Sequence, residues 1–225
     1  LVTGGAGFIG SNMCDHLVEN NHQVIVIDDL STGHLSNLSA VMKSITFYNE
    51  KIEDYDFEKI SEIDAIVHLA AQPSVPLSIS DFGASSSSNM LGTIRIIDYC
   101  RIRHIPLVYA SSSAVYGDLE IGDDFCTKVD LLSPYATDKY AMELYAKLAH
   151  KLYQLSSIGL RFFNVYGPRQ DPSSPYSGVI SIFVDHLLRE EYLTIIGGYQ
   201  TRDFIFVKDV IDMIYRSIML SSTNT

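Results

Sequence analysis

Short apolar runs alternate along the chain with longer stretches of helical periodicity. Runs rich in β-branched residues predict strands, and stretches with apolar residues three or four positions apart predict helices. Continuous apolar strands suit a sheet covered on both faces, so the alternation favours a doubly wound parallel α/β sheet. The predicted strands are Leu1–Thr3, Val24–Ile27, Ile45–Tyr48, Ala65–Leu69, Leu107–Ala110 and Ser157–Phe163, and the predicted helices are Ile9–Glu19, Asn89–Arg103 and Pro134–Tyr153.

The pattern changes after about residue 165. A turn-rich loop at 171–178 precedes a predicted helix Val179–Arg189, a strand Leu193–Ile196 and a helix Val207–Leu220. We therefore expect two units, a main α/β domain over 1–165 and part of a second, smaller lobe over 166–225. The first residues already have the pattern of a strand and the last follow a helix, so we expect both ends to be cut and a C-terminal remainder to be missing.

Charge and cysteine content narrow the possible functions. The 225 residues carry a formal net charge of −11, and the lysines and arginines form no basic patch. An acidic surface repels nucleic acid and anionic membranes, and the longest apolar runs are strand-sized, so neither partner is expected. The cysteines, Cys14, Cys100 and Cys126, lack metal-ligand spacing. This predicts no metal site, no disulfide framework and a reducing, cytoplasmic location.

A glycine-rich turn follows the first predicted strand and opens the first predicted helix. Gly4, Gly7 and Gly10 permit a tight turn, close approach of the backbone to a pyrophosphate, and close packing of helix and sheet. Asp28 ends the next strand eighteen residues after Gly10, near the roughly twenty expected of a ribose-binding acid. Its carboxylate would repel a 2′-phosphate, so NAD is favoured over NADP. The alternative is an ordinary turn beside a surface aspartate.

Tyr135 and Lys139 stand four positions apart in the predicted helix Pro134–Tyr153 and share one face of it. A positive helix end and a neighbouring ammonium would both favour the phenolate, so we expect a lowered Tyr135 pKa and general acid/base catalysis. Upstream, Ser112 follows a strand, where its hydroxyl can share a proton with a substrate and Tyr135. Taken singly, such a pair occurs by chance on many helices, and the serines alone suit a polar turn.

Four further segments follow one another along the chain in an order that is typical of one protein family. They are His-Leu-Ala-Ala at 68–71, Ser-Ser-Ser-Ala-Val-Tyr-Gly at 111–117, Leu-Arg-Phe-Phe-Asn-Val-Tyr-Gly-Pro-Arg at 160–169 and Thr-Arg-Asp-Phe at 201–204. With the motifs above, the whole chain resembles the extended short-chain dehydrogenases/reductases, the NAD-dependent epimerases and dehydratases. Within them it most resembles UDP-glucose and UDP-N-acetylglucosamine 4-epimerases. The resemblance implies a Rossmann-type doubly wound parallel sheet, the start of a smaller C-terminal substrate lobe, NAD as cofactor and a UDP-sugar substrate.

The resemblance also implies a role for each matching residue. Ser112, Tyr135 and Lys139 match the catalytic triad, and Ser112, Tyr135, Asn164 and Arg202 match substrate contacts. A guanidinium such as that of Arg202 suits a diphosphate. Cofactor contacts are implied for Gly4, Gly7, Phe8, Ile9, Gly10, Asp28, Ile52, Ala70, Ala71, Asn89, Tyr135, Lys139 and Phe162.

One position departs from the family pattern. Many relatives have an aspartate before an Ile or Leu after the third strand, in contact with adenine. This chain has Lys51 and Ile52 there, so the acidic contact is missing or comes from Glu53.

The residues after Ser112 discriminate between reactions of the family. Sugar-nucleotide 4,6-dehydratases usually carry an Asp-Glu pair, and decarboxylases often carry a Glu, where this chain has Ser113 and Ala114. Neither residue performs carboxylic acid/base chemistry. We therefore expect 4-epimerisation through a transient 4-keto sugar. The alternatives are another dehydratase, decarboxylase or reductase, or a non-catalytic NAD(H)-binding sensor or scaffold.

The family is often dimeric through a four-helix contact. The equivalent helices here are Asn89–Arg103 and Pro134–Tyr153, so the resemblance implies a homodimer formed by these two segments.

Overall fold

The structure, a computed structural model, describes residues 1–60, 62–119, 128–174, 177–195 and 197–223. Cys126, one of the three cysteines considered above, lies outside the described residues. The helices and strands are β1 (Val2–Thr3), α1 (Phe8–Glu19), β2 (Val24–Ile27), β3 (Ile45–Tyr48), β4 (Ile66–His68), α2 (Val75–Ser80), α3 (Phe82–Ser86), α4 (Gly92–Arg103), β5 (Leu107–Ser112), α5 (Pro134–Tyr153), β6 (Ser157–Phe162), β7 (Asn164–Tyr166), α6 (Val179–Leu188), β8 (Phe204–Phe206) and α7 (Val207–Thr223).

Six parallel strands form the central sheet in the order β3-β2-β1-β4-β5-β6. The order reverses direction between β1 and β4, which is where ligands of doubly wound sheets bind. Strands β7 and β8 form a separate two-stranded parallel pair in which Asn164 lies opposite Phe204. The predicted doubly wound parallel sheet is therefore confirmed.

The two faces of the sheet bury separate hydrophobic clusters. Successive strand residues point to opposite faces. Ile66 packs with residues of α4 and α5, including Met142, whereas the next residue, Val67, packs with residues of α1 and α7, including Met13 and Val210. Helices thus cover both faces, as the continuous apolar strands predict.

The structure places α7 against the central sheet, whereas the sequence pattern assigns it to the second lobe. Helix α7 packs through Val207, Val210 and Ile214 into the same cluster as Val2 of the central sheet. The boundary at residue 165 stays a prediction, but this helix, assigned to the second lobe, covers the nucleotide-binding sheet.

Most predicted elements agree with the structure within one or two residues, and three do not. The predicted helix Val207–Leu220 continues to Thr223. The predicted helix Asn89–Arg103 begins at Gly92, and Ser87–Leu91 before it form a wider π-helical turn. The predicted strand Leu193–Ile196 is wrong over the described residues 193–195, which pair with no strand. A strand forms where a neighbouring strand pairs with its backbone hydrogen-bonding groups. Phe204–Phe206 has such a neighbour in β7.

Helix α5 begins and ends where local signals place it. Ser133 accepts a hydrogen bond from the Ala136 N–H at 3.1 Å, and Pro134 occupies the first turn, where its missing N–H costs nothing. Gln154 ends the helix in the left-handed conformation, with φ of 58°. These ends fix which side chains of the helix face the sheet. Among the described residues, no helix is long and apolar enough to span a membrane.

The first turn of α1 lies against the backbone of the glycine turn. A Cβ on Gly10 would lie 2.1 Å from the Gly4 carbonyl oxygen and 2.8 Å from the Gly5 Cα. Both neighbours are backbone atoms, so no side chain can move aside to make room. Only glycine lets the helix start this close to β1.

Gly10→Ala should therefore lower the free energy of unfolding by about 1–3 kcal/mol, the usual cost of overpacking. The matched control is Gly83→Ala in α3, where an added Cβ meets nothing within 4 Å. That change should be neutral or stabilising by up to about 1 kcal/mol, because alanine is the better helix former. Urea unfolding of both variants measures the difference, and equal stabilities would contradict the packing argument.

Candidate active site

The predicted site residues lie at the carboxyl edge of the sheet, around the point where the strand order reverses. The glycine turn follows β1, the Ala70–Ala71 segment follows β4, Ser112 ends β5 and Phe162 ends β6. Because neighbouring parallel strands end at the same edge, segments distant in sequence are brought together there. Ser112 and Phe162 are directly paired in the register of β5 and β6.

The glycine turn leaves a helix N-terminus open to an anion. Gly4 has a φ of 69°, which favours glycine, and its N–H donates to the Ile27 carbonyl. Gly7 caps α1 without a side-chain hydrogen bond, so the N–H groups of Phe8, Ile9 and Gly10 are not covered by a capping side chain. Such N–H groups, with the positive end of the helix dipole, suit a pyrophosphate. The cradle thus fits the dinucleotide predicted for it.

Asp28 lies beside this turn and is buried. Its carboxylate accepts hydrogen bonds from the N–H groups of Ala6 at 2.9 Å and Leu30 at 2.8 Å. Burial raises the pKa of the carboxyl, and the bonds from Leu30 and Ala6 counteract that rise. Asp28 therefore holds the glycine turn to the end of β2, a role that the sequence pattern did not indicate, and its predicted ribose contact stays a prediction.

The opposite wall of the cleft follows β4. The Ala70 N–H donates to the Thr3 hydroxyl at 3.2 Å, and a Cβ on Gly4 would lie 2.7 Å from the Ala70 nitrogen. Asn89 supports the next residues, because its Oδ1 accepts the Gln72 N–H at 2.8 Å. Ala70 therefore borders the glycine turn, and Asn89 holds the segment that follows Ala71; the cofactor contacts that the family resemblance implies for these residues stay predictions.

Ile52 belongs to the hydrophobic cluster against which Ala70 packs. It is buried in the core, and its Cγ2 would lie 2.5 Å from a Cβ on Gly92. Its side chain thus packs under the start of α4, and its predicted adenine contact stays a prediction.

Ser112, Tyr135 and Lys139 come together beneath this edge. The Ser112 hydroxyl accepts the Ala114 N–H at 3.1 Å and is hydrogen-bonded to Tyr135. The Lys139 ammonium is buried, donates to the Ala110 carbonyl at 2.8 Å and lies 5.7 Å from the Tyr135 ring centre. Two hydroxyls in contact with each other, near a buried ammonium, form a group suited to proton transfer.

The expected lowering of the Tyr135 pKa is wrong for this arrangement. Burial raises the pKa of Tyr135 above its usual value, and the hydrogen bond from Ser112 only partly counteracts that rise. The physical reason is that removal from water disfavours the phenolate, while Lys139 directs its ammonium at the Ala110 carbonyl. Burial also lowers the pKa of Lys139, to about 8, and Asp138 counteracts this.

The predicted substrate residues lie on or near the two-stranded pair. Asn164, in β7, donates through its side-chain amide to the Asp203 carbonyl at 3.0 Å. This bond places it next to Arg202, whose exposed guanidinium donates to the Thr201 carbonyl at 2.7 Å. The structure therefore brings these two residues, 38 positions apart in the sequence, to one region beyond the sheet.

A second polar cluster, which the sequence analysis missed, lies next to Ser112 and contacts the residue before it, Ser111. Glu143, one turn after Lys139, accepts a hydrogen bond from Ser111 at 2.5 Å. Arg161 holds both oxygens of Glu143, at 2.8 and 2.6 Å, and stacks over the Tyr116 ring at 4.9 Å. Glu143 lies four positions from Lys139, on the same helix face, and this spacing was the one signal available.

Asp138 is the other residue that the motifs did not single out. It is buried, and its Oδ2 accepts hydrogen bonds from Ser86 at 3.1 Å and Asn89 at 3.4 Å. It occupies one of the unspecified positions between Tyr135 and Lys139, so nothing in the spacing marked it.

Two further observations concern the residues of this site. Within the described ranges, no cluster of three or more His, Cys, Asp or Glu side chains is placed to hold a metal ion. The two residues directly after Ser112 are Ser113 and Ala114, which have no carboxyl group. The arrangement suits proton exchange between a tyrosine and a substrate hydroxyl next to a bound dinucleotide.

Comparison with known proteins agrees with this geometry. The chain matches the NAD dependent epimerase/dehydratase family over residues 1–223. The UDP-glucose 4-epimerase of Mycolicibacterium smegmatis is 38% identical over 228 residues, 96% of this chain and 72% of that protein.

Solved structures give the same result. The UDP-N-acetylglucosamine 4-epimerase of Methanobrevibacter ruminantium, in complex with UDP-N-acetylmuramic acid, is 38% identical with a TM-score of 0.91, over 97% of this chain and 72% of that one. The Thermus thermophilus UDP-glucose 4-epimerase in complex with NAD is 33% identical with a TM-score of 0.86, over 96% and 73%. This chain therefore belongs to the NAD dependent epimerase/dehydratase family.

Proposed function

We propose that this protein is an NAD-dependent UDP-sugar 4-epimerase in which Tyr135 exchanges the proton of the sugar O4. The observation that carries the proposal is the contact between the Ser112 and Tyr135 hydroxyls at the carboxyl edge of the sheet, beside a glycine turn that fits a pyrophosphate. Epimerases with 33–38% identity and TM-scores of 0.86–0.91 support the same activity.

The reaction needs little more than these residues. The Tyr135 phenolate, which accepts a hydrogen bond from Ser112, takes the O4 proton as C4 is oxidised and becomes a phenol. The phenol returns the proton to O4 after the 4-keto sugar has turned over, and the phenolate is regenerated. The Lys139 ammonium stabilises negative charge nearby. NAD, when bound in the cleft beside the glycine turn, would supply the hydride acceptor for C4 and the hydride for its return to the other face. Asn164 and Arg202 are the residues that we propose hold the diphosphate of the substrate.

The absence of a carboxyl group at Ser113 and Ala114 disfavours the other reactions of the family. Dehydration must expel the C6 hydroxyl and abstract a proton from C5, which requires an acid and a base that these two residues do not provide.

The product of the purified protein should accordingly have the mass of its substrate. UDP-glucose, UDP-N-acetylglucosamine and UDP-glucuronic acid, each incubated without added cofactor, should be tested by mass spectrometry together with sugar analysis. At least one should change configuration at C4 at constant mass. Loss of water or of carbon dioxide would show a dehydratase or a decarboxylase instead.

Tyr135→Phe should lower turnover by roughly a hundred-fold or more, the range that a positioned acid/base group contributes. The ring remains, so bound NAD and the affinity for the UDP-sugar should be retained. Tyr215→Phe is the matched control. Tyr215 lies in α7, at the other face of the sheet, and its hydroxyl is hydrogen-bonded to the exposed His22. Near wild-type turnover of NAD-loaded Tyr135→Phe would assign the proton transfer to another residue.

We propose further that two copies of the chain pair through α4 and α5. A groove of about 260 Å³ lies between these helices and is lined by Ile94, Tyr145, Leu148 and Leu152 among others. Leu148 and Leu152 are 48% and 57% exposed, one turn apart on the same helix face. A second copy offers the same apolar ridge in the self-complementary arrangement of a two-fold dimer, and Arg101 with Asp98 provides a polar rim.

Leu148→Glu should weaken this dimer roughly ten-fold or more, because it buries an unpaired charge in the contact. Met213→Glu is the control, since Met213 is also about half exposed but lies on α7. Sedimentation velocity over a concentration series gives both dissociation constants. A wild-type protein that stays monomeric, or an unchanged constant for Leu148→Glu, would contradict the proposed interface.

The cytoplasmic location stays a prediction. It has support from the free, buried thiols of Cys14 and Cys100, whose pKa values are raised by burial.

A further inference from the structure

The residue before Lys139 is a carboxylate buried in the protein. Asp138 is 5% exposed and lies on the face of α5 that meets α3 and the π-helical turn Ser87–Leu91. An isolated buried carboxylate is costly, so a buried position demands hydrogen bonds and a nearby cation. Ser86 and Asn89 provide the hydrogen bonds, and Lys139 is the adjacent cation.

Asp138 and the Gln72 backbone together determine which way the Asn89 amide points, because the Gln72 carbonyl also accepts from the Asn89 Nδ2 at 3.4 Å. The Asn89 Nδ2 faces the carboxylate at 3.4 Å, and this leaves Oδ1 to accept the Gln72 N–H at 2.8 Å. A carboxylate only accepts hydrogen bonds, so the reversed amide would place two acceptors against each other. The Gln72 backbone, directly after Ala70–Ala71 in the cofactor cleft, is therefore held through Asn89 by Asp138.

Lys139 has few other charges to stabilise its ammonium. It is 3% exposed, and its Nζ donates to the Ala110 carbonyl, which is neutral. Two other titratable groups of the described residues lie near it. Burial together with Lys139 lowers the pKa of His68 to about 3, and burial raises the pKa of Tyr135, whose ring centre is 5.7 Å from the ammonium, so both are uncharged at neutral pH. Asp138 is the one negative group found to act on Lys139 in the described part of the chain.

We propose that Asp138 is a positioning residue for the reaction, the buried counter-charge that keeps Lys139 an ammonium and helps to orient the Asn89 amide at the cofactor cleft. The proposal rests on the proposed function only for its effect on turnover. Its electrostatic part concerns the NAD-free protein and is tested there.

The direction of the effect follows from the charges. Burial lowers the pKa of Lys139 to about 8, and the negative charge of Asp138 counteracts this. Removing that charge lowers the pKa further, so the ammonium is lost at a lower pH. Burial raises the pKa of Asp138 itself, while Ser86, Asn89 and Lys139 counteract that rise and favour its ionised form.

The test is an NMR titration of the NAD-free protein labelled with ¹³C at lysine Cε. Lys139→Met assigns the Lys139 signal by its loss. In Asp138→Asn, which keeps the shape of the side chain, the Lys139 midpoint should fall by about one pH unit, the scale of a neighbouring opposite charge. Glu143→Gln is the matched control, because Glu143 is a carboxylate on the same helix that pairs with Arg161, and it should leave the midpoint in place.

An unchanged Lys139 midpoint in Asp138→Asn would overturn the proposal, whatever reaction the protein catalyses. If that variant does not fold, the wild-type Lys139 signal provides the test. Protonation of Asp138 at acid pH should produce a second, smaller inflection of this signal. The absence of that inflection counts against the proposal.

The turnover of a folded Asp138→Asn provides the second measurement. The fall of kcat on the alkaline side should begin about one pH unit lower than in the wild type, and Asp138→Glu should restore the wild-type limb at least in part. A uniform loss of kcat with an unshifted profile would indicate a structural role only. Failure of the wild type to epimerise any UDP-sugar would reject the proposed function and leave the titration result standing.

Discussion

Polar groups buried at the carboxyl edge of the sheet have to find hydrogen-bond partners inside the protein, and the partners that they find connect the elements of the site. The Thr3 hydroxyl contacts His68 at 2.7 Å, and His68 contacts Thr93 at 3.1 Å. Thr93 donates to the Asn89 carbonyl at 2.6 Å, and the Asn89 side chain reaches Asp138. The first strand, the cleft wall and the catalytic helix are thus joined by one buried chain of hydrogen bonds. Leaving any of its members unpaired would cost about 1–3 kcal/mol.

The π-helical turn before α4 belongs to the same chain of hydrogen bonds. Asn89 lies within it, and so its backbone carbonyl and its side chain serve different partners, Thr93 in one direction and Gln72 with Asp138 in the other. Such turns are rare in globular proteins and often occur at functional sites. Here the wider turn places an amide between the cofactor cleft and the catalytic helix.

Burial shifts the pKa values of Tyr135 and Lys139 more than their neighbours do. It raises the pKa of Tyr135 and lowers that of Lys139, so each is driven toward its neutral form. A tyrosine in such a setting holds its proton until a substrate or cofactor changes the local field. Ser112 and Asp138 act against this trend, the first by a hydrogen bond to the tyrosine and the second by its charge near the lysine.

The ion pair between Glu143 and Arg161, next to Ser112, connects several elements of the site. Glu143 of the catalytic helix holds Ser111 of β5 and Arg161 of β6, and Arg161 stacks on Tyr116 in the segment that follows Ser112. Three elements that carry predicted site residues therefore share one ion pair. Its side chains are 17% and 18% exposed, so water screens the pair less than it would at the surface.

The sequence by itself determined the fold class and the positions of the motifs. Strands Val24–Ile27 and Ile45–Tyr48 and helix Pro134–Tyr153 were predicted with the bounds that the structure has, because apolar periodicity, Ser133 and Pro134 are signals that lie within a few residues of the feature. Likewise, the glycine turn is encoded locally, since only glycine tolerates the contacts at Gly4 and Gly10.

The tertiary structure alone decided the rest. The strand at Phe204–Phe206 depends on a partner about forty residues earlier, and the role of Asp138 depends on Ser86 and Asn89, about fifty residues away. The Tyr135 pKa was predicted with the wrong sign because a sequence shows which charges are near along the helix but not how much water is excluded. Pairing, burial and desolvation are properties of residues distant in the chain, and they exist only once the chain has folded.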